Sequence, residues 1–152
     1  MRLVETETAI RFLRPDPWRW PRPRVLVEHP DELAGLQIAN GLRYAGFAVS
    51  VCSGPEHAGQ CPLTVDDGCA VAHGADVVVS CLGYDRPVAR DVLGALRARC
   101  ATVPLVVEVP KGTEIAPESL LADCRIVTAP AAVDDLVSAV RGLLDGREAS
   151  DA

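Results

Sequence analysis

Three of the six cysteines and one of the three histidines lie in a single segment, CPLTVDDGCAVAHGADVVVSC, which runs from Cys61 to Cys81. Thiolates and imidazoles are ligands of Zn²⁺ and of iron–sulfur clusters. Cys69 and His73 are four residues apart and would share one face of a helix. A structural zinc site normally contains two cysteines separated by about two to four residues, and this sequence has no such pair. The spacing therefore only weakly indicates a metal site formed by Cys61, Cys69 and His73.

A reversible disulfide between Cys61 and Cys69 is a second interpretation. The two residues flank a turn rich in Gly and Asp, and a loop that folds back would bring their Cα atoms to the disulfide separation of about 5.5 Å. Nearby positive charge makes a thiol reactive, whereas the neighbours Asp66 and Asp67 are negative. High intrinsic reactivity is therefore not expected, but a disulfide in this loop could still couple oxidation to shape.

The third interpretation treats the cysteines as small apolar residues, because cysteine is among the most frequently buried residue types. Four cysteines lie on predicted strands or on inner helix faces: Cys52, Cys81, Cys100 and Cys124. On this interpretation Cys61 and Cys69 anchor a loop. The sequence leaves open whether that loop is redox-active or structural.

Recognised catalytic motifs are missing from the sequence, which contains no glycine-rich nucleotide loop, no nucleophile elbow and no HExxH motif. His29 and Asp31 stand where a helix is predicted to begin, a position at which such residues act more often as caps than as catalysts. Glu28, His29 and Glu108 could form a small polar cluster at the strand ends, with oxygen ligands for a divalent ion. We therefore expect no enzymatic activity and no cofactor.

The overall charge is acidic and unevenly distributed along the 152 residues, a length that suits one domain. Residues 1–24 contain six arginines and three acidic residues, which leaves nine basic and eighteen acidic residues in the rest of the chain. An acidic body argues against direct nucleic-acid binding, which needs a basic face. The sequence has neither the roughly 20-residue apolar run of a membrane span nor the apolar core of a signal peptide. We expect a cytoplasmic protein with reduced thiols and no membrane contact.

Short apolar segments rich in β-branched residues alternate with segments of helical periodicity. Strands are predicted at 24–27, 47–52, 75–81, 105–109 and 125–128. Helices are predicted after a cap at Asp31 and at 91–100, 117–122 and 131–144. Strands that alternate with helices form a parallel sheet with helices on both faces.

The predicted domain occupies residues 24–146. An N-terminal arm, 1–23, precedes it, because the four prolines of RPDPWRWPRPR prevent regular helix. Trp18 and Trp20 in this arm are expected to pack against this chain or against a sister subunit. Residues 147–152 are predicted to be a disordered tail.

Three segments resemble the receiver domain of two-component response regulators: RVLVEHPDE, GADVVVSCL and TAPAAVDDLVSAVRGLL. The resemblance covers about residues 24–145. It implies a flavodoxin-like, CheY-like α/β fold, in which a five-stranded parallel sheet with strand order 2-1-3-4-5 is the middle layer of a three-layer sandwich.

The resemblance also implies a site at the carboxyl ends of the strands. In receivers, acidic residues there hold Mg²⁺, an aspartate accepts a phosphoryl group, and a hydroxyl residue and a lysine respond to its charge. The corresponding positions of this chain are Glu28, His29, Cys81, Val109 and Ala129. The phospho-acceptor, the hydroxyl and the lysine are all missing, since Lys111 follows strand four and not strand five. The resemblance thus implies a degenerate phosphorylation pocket, as in a pseudo-receiver.

The second departure from a receiver lies between predicted strands two and three, where residues 53–74 are longer than the expected short helix. Only DDGCAVAHG is expected to form a turn or two of helix, capped by Asp66 or Asp67.

We expect a stand-alone regulatory protein of signal transduction that acts through contacts with partner proteins and without phosphorylation. We also expect a homodimer, formed through the final helix and the neighbouring strand face or through the arm. The alternative is a redox or metal sensor that uses the insertion between Cys61 and Cys69.

Overall fold

The computed structural model describes residues 23–55, 61–65 and 69–151. The predictions for the N-terminal arm, including Trp18 and Trp20, lie outside the described residues, as do Asp66 and Asp67. Within the described ranges, none of the helices combines the length and the apolar character needed to cross a membrane.

Five short strands form one sheet in which every neighbouring pair is parallel. They are β1 Arg24–Glu28, β2 Ala48–Cys52, β3 Val77–Ser80, β4 Leu105–Val109 and β5 Arg125–Thr128. Their order, β2-β1-β3-β4-β5, confirms the predicted order 2-1-3-4-5. All four residues of the central strand β3 are buried, because helices on both faces of a parallel sheet favour an unbroken apolar run.

The described ranges contain helices between the strands and after β5. They are α1 Glu32–Tyr44, α2 Pro62–Val65, α3 Ala70–Gly74, α4 Pro87–Arg99 and α5 Val133–Asp151. The predicted cap of α1 is confirmed, because the Asp31 carboxylate accepts a hydrogen bond from the Ala34 amide at 3.1 Å. α4 begins at Pro87, before the predicted start at Asp91, because proline suits the first helical turn, where the amides have no intrahelical partners.

The sheet separates two apolar cores. Val77 and Val79 point to one face, which α1 and α5 cover. Val78 points to the other face, which α2, α3 and α4 cover. This alternation follows from the two-residue period of a strand, and it confirms the predicted three-layer sandwich.

The segment between β4 and β5 corrects one prediction, because no helix forms at 117–122. The backbone bonds there span three residues, with the Ser119 amide donating to the Ala116 carbonyl at 3.0 Å and the Ala122 amide donating to the Ser119 carbonyl at 3.2 Å. The Ser119 hydroxyl also accepts from the Leu121 amide at 3.2 Å, and such a local bond competes with helix formation. The segment is therefore a series of turns.

The last helix is longer than predicted. The sequence indicates a helix at 131–144 and a disordered tail at 147–152, whereas α5 extends to Asp151. Gly142 and Gly146 each lower the helix propensity by about 1 kcal/mol. No proline interrupts the segment, so the backbone hydrogen bonding continues through the region assigned to the tail.

Candidate functional site

The residues predicted for a degenerate phosphorylation pocket lie at adjacent strand ends. The Cys81 amide donates to the Glu28 carbonyl at 2.8 Å. The Ala129 amide donates to the Val109 carbonyl, also at 2.8 Å. The backbone thus places these four residues along the carboxyl edge of the sheet, where open α/β folds bind their ligands.

The side chains at this edge do not converge on one point. Cys81 packs with Val79 in the core beneath α1 and α5. Glu28 lies on the opposite face with Leu26, and Val109 is buried in the core on that same face. Successive residues of a strand point to opposite faces, so backbone adjacency does not create one shared pocket here.

Cys81 occupies the position of the phospho-acceptor in the predicted pocket. Its side chain is buried, with only 3% of the residue exposed. Burial, followed by the negative charges of Glu108 and Glu28, raises the pKa of its thiol to about 12. At neutral pH the group is therefore an uncharged thiol, which is neither a carboxylate acceptor nor a reactive thiolate.

An open cleft of about 620 Å³ lies on the α1 side of the strand ends. We call it the strand-end cleft; His29, Glu108, Lys111, Ala129 and Pro130 are among the residues that line it. The peptide bond between Ala129 and Pro130 is cis. Lys111, in the loop after β4, is one of the residues that line this cleft. Sequence reasoning set this lysine aside because it follows the wrong strand, although a cation just after a strand end was a usable signal.

His29 and Glu108 both hold backbone amides beside the strand-end cleft. The Asp31 amide donates to His29 Nδ1 at 3.0 Å, and the Ala131 amide donates to Glu108 Oε2 at 3.0 Å. These two side chains therefore orient the chain just before α1 and α5. Glu28 is not among the residues that line this cleft, so the predicted cluster of Glu28, His29 and Glu108 is divided between the two faces of the sheet.

A second cavity, of about 440 Å³, lies on the opposite face of the sheet, between β1, β2 and the short helices α2 and α3. We call it the Glu28 cavity. Its lining is mainly apolar and includes Leu26, Pro55, Leu63 and Ala72. The enlarged segment between β2 and β3 thus forms part of the wall of a second, partly open cavity.

Glu28 is the acidic side chain of this cavity, and only 4% of the residue is exposed. Burial raises the pKa of its carboxyl to about 7, although a hydrogen bond from the Ser80 side chain opposes this rise. Ser80 stands beside Glu28 in the register of β1 and β3. Among the described residues, Glu28 Oε1 has no hydrogen-bond partner.

Both cysteines of the predicted redox pair, Cys61 and Cys69, line the Glu28 cavity. Cys52 lines it as well, although sequence reasoning assigned Cys52 only to the core. All six cysteines lie in the described ranges, and none forms a disulfide. Burial is the main cause that raises the pKa of Cys52, and the neighbouring Glu28, Cys61 and Cys69 add to the rise. The position of Cys52 at the end of β2, next to the enlarged segment, was the sequence signal that could have identified Cys52 as a cavity residue.

The segment around α3 corrects the predicted cap and separates the residues of the metal alternative. The N-cap of α3 is Cys69, whose Sγ accepts from the Ala72 amide at 3.5 Å. His73 is exposed, and its Nδ1 lies 3.6 Å from the Sγ of Cys100 at the end of α4. In the ranges that the structure describes, no group of three or more His, Cys, Asp and Glu side chains could hold a metal ion. The structure thus places His73 beside Cys100 and does not bring it together with Cys61 and Cys69.

No protein-family model and no curated protein sequence match this chain. Several solved structures are similar to it. The receiver domain of the Francisella response regulator 1452 has a TM-score of 0.62 at 21% identity, over 83% of this chain and 99% of that one. A response regulator receiver domain protein from Clostridium thermocellum has a TM-score of 0.60 at 16% identity, over 84% and 98% of the two chains. HP1043, an orphan response regulator of H. pylori, has a TM-score of 0.56 at 18% identity, over 82% and 99%.

At these identities the similarity establishes the fold, and it leaves activity to be argued from the site. Nearly the whole length of each similar structure is matched, so the likeness extends over the complete sheet. The resemblance inferred from the sequence is thereby confirmed at the level of fold. The chain has the CheY-like fold of response-regulator receiver domains.

Proposed function

We propose that this chain is a receiver-like regulatory module that acts through protein–protein contacts and without aspartyl phosphorylation. The buried, uncharged thiol of Cys81 carries this proposal, because a carboxylate is needed at that position to accept a phosphoryl group. Val109 and Ala129 supply neither a hydroxyl nor an ammonium group to respond to a phosphoryl charge. Phosphorylation-dependent switching therefore lacks both its acceptor and the groups that read it.

Treatment with acetyl phosphate or phosphoramidate in the presence of Mg²⁺ tests this proposal. We expect no increase in intact mass and no change in elution volume, whereas an ordinary receiver domain in a parallel reaction should gain one phosphoryl group. A stable aspartyl phosphate on this chain would contradict the proposal.

Enzymatic activity is not part of the proposal. In the described part of the chain, the side chains of the strand-end cleft that could act as bases already accept hydrogen bonds from backbone amides, at His29 Nδ1 and at Glu108 Oε2. An acid–base or nucleophilic mechanism would require a nucleophile beside one of these groups, and the nearby Cys81 is buried and uncharged.

The exposed side of α1 supports the protein-contact part of the proposal. Leu33, Leu36 and Tyr44 are 68%, 43% and 95% exposed. Their spacing places them along one side of the helix, where exposed polar residues lie between Leu36 and Tyr44. Exposed apolar side chains grouped on one side in this way are typical of contact surfaces. Glu32 lies at the beginning of this stripe and Arg43 near its end.

A second copy of this chain fits the α1 stripe by charge. In a two-fold pair with antiparallel α1 helices, Glu32 of one protomer meets Arg43 of the other while the apolar stripes face each other. We therefore place the proposed homodimer contact on α1, instead of on the final helix or the arm.

Sedimentation velocity over a range of protein concentrations tests the homodimer. The double variant Leu33→Asp with Tyr44→Asp should shift the protein to monomer, because charges would enter the apolar contact. Ile115→Asp is the matched control, since Ile115 is also exposed, at 44%, but lies in the link between β4 and β5. A wild-type protein that stays monomeric, or a double variant that dimerises normally, would refute the α1 contact.

A redox sensor is the second candidate function, and it is favoured by the position of Cys52, Cys61 and Cys69 around one cavity. Two of these thiols would lose two protons and two electrons to a peroxide, which is reduced to water as the S–S bond forms. Mild peroxide treatment followed by alkylation and peptide mapping should identify a Cys61–Cys69 disulfide. The disulfide should be absent in Cys61→Ser and retained in Cys124→Ser. Six alkylated thiols after oxidation would exclude the redox candidate.

A further inference from the structure

The Glu28 cavity has the size and character of a small-molecule site. Its volume of about 440 Å³ falls within the range of about 300–1,000 Å³ that is common for ligand cavities. The wall combines Leu26 of β1, Leu63 of α2 and Ala72 of α3. Ligand sites of this kind are mostly apolar and carry a few polar groups that orient the ligand.

The carboxyl of Glu28 is a polar group of this kind. Its atom Oε1 is buried and has no hydrogen-bond partner among the described residues, although buried acceptors in proteins are nearly always paired. The strand pleat places Glu28 on the same face of the sheet as Leu26, and both residues line the cavity. The carboxyl that carries this oxygen therefore lies at the wall of an apolar space that has room for a ligand. Oε1 itself is covered by neighbouring atoms, so a rotation of the Glu28 side chain would bring it to a ligand.

We propose that the Glu28 cavity binds a small, largely apolar molecule that carries a hydrogen-bond donor at one end, with the donor directed at Glu28 Oε1. A hydroxyl or an amine would complete the hydrogen bonding of this buried oxygen. Above about pH 7, where Glu28 is ionised, carboxylate and phosphate ligands are disfavoured, because Glu28 would repel them and the apolar wall would not solvate them; probe ligands are therefore compared at about pH 8.

Three aromatic probes of nearly equal size separate the donor from the apolar body. Benzyl alcohol and benzylamine carry a donor, whereas ethylbenzene has the same number of non-hydrogen atoms and no donor. Each probe is titrated into the full chain and followed by amide chemical shifts in two-dimensional NMR. We expect saturable shifts at residues around the cavity, such as Leu63 and Ala72, with at least one donor probe binding about tenfold or more tightly than ethylbenzene.

Two variants test the role of the carboxyl. Glu28→Met removes the acceptor while retaining an unbranched side chain of similar length, and it should abolish the preference for donor probes over ethylbenzene. Glu108→Gln changes a carboxylate on the other face of the sheet, and it should leave all three affinities unchanged. If Glu28→Met does not fold, the comparison of the three probes on the unaltered chain still decides the question.

Saturable binding with a donor preference that Glu28→Met removes would support the proposal. The absence of saturable shifts with every probe would overturn it, as would equal affinity for ethylbenzene and the donor probes. Loss of the donor preference in Glu108→Gln alone would place the ligand elsewhere and would overturn it as well. These outcomes do not depend on whether the chain is phosphorylated or forms a dimer, so this inference and the proposed function can fail separately.

Discussion

Replacing Glu28 with glutamine is expected to change how the stability of this protein depends on pH. Burial raises the pKa of the Glu28 carboxyl from 4.5 to about 7. Between these two values the unfolded chain has lost the proton and the folded chain still holds it. Because the folded state binds more protons in this window, its stability falls as pH rises from about 4.5 to about 7. The penalty is absent below the window and fully present above it.

The size of the effect follows from the pKa difference. The rise of about 2.5 pH units corresponds to about 3 kcal/mol, at about 1.4 kcal/mol per unit. Part of this penalty is already present at pH 5, so about 2–3 kcal/mol remains between about pH 5 and about pH 8. Glutamine does not ionise, and Glu28→Gln should therefore gain about 2–3 kcal/mol of stability relative to the unaltered chain over that interval.

Urea denaturation of both proteins at about pH 5 and about pH 8 measures this difference. A buried glutamine amide that lacks partners would lower the stability by about 1–3 kcal/mol, but at both pH values equally. The informative quantity is therefore the amount by which the stability difference between Glu28→Gln and the unaltered chain changes between the two pH values. Glu118→Gln is the matched control, since Glu118 is exposed. An equal difference between Glu28→Gln and the unaltered chain at both pH values would refute the reasoning.

Three further predictions concern packing and capping, and each is measured by urea denaturation. Gly41→Ala should lower the free energy of unfolding by about 1–3 kcal/mol, because the new Cβ would overlap Val133 where α1 meets α5. Gly94 has open space around it, so Gly94→Ala should instead raise the free energy of unfolding by up to about 1 kcal/mol. Asp31→Ala should cost about 1 kcal/mol through the lost helix cap, and Asp31→Asn should retain most of that energy. Cys81→Asp should be less stable than Cys81→Ser by several kcal/mol, on the order of 3, because it buries a carboxylate beside two others; equal stability of the two variants would contradict the burial of this position.

Counting residues along the sequence correctly predicted the positions of the strand-end residues. The predicted bounds of β4 and β5, 105–109 and 125–128, agree with the structure, because short β-branched runs between turn residues are a local signal. Counting along the strands also placed Cys81 at the carboxyl end of β3. The environment of the side chain could not be found by counting, since the high pKa of the Cys81 thiol results first from burial and then from the charges of Glu108 and Glu28, which approach it from other strands.

The β4–β5 link and the segment around α3 show where local patterns differ from the structure. The segment 117–122 has helix-forming residues, but the Ser119 hydroxyl bonds the Leu121 amide and only turns form. The spacing of Cys69 and His73 suited a shared helix face, but α3 has only five residues and His73 lies beside Cys100. In the first case a local side-chain bond competed with the helix, and in the second a contact with a distant residue decided the position of His73.

The sequence by itself determined the five strands, the start of α1 and the residue types at Cys81, Val109 and Ala129. These features depend on residue type and on spacing along the chain, and they need no knowledge of distant contacts. Only the tertiary structure decided that Glu28 faces a cavity and not the strand-end cleft, and that Lys111 reaches that cleft from another loop. The reason is physical: the strand pleat and the packing of the enlarged segment bring together groups that are far apart in the chain, and burial among them then sets their chemistry.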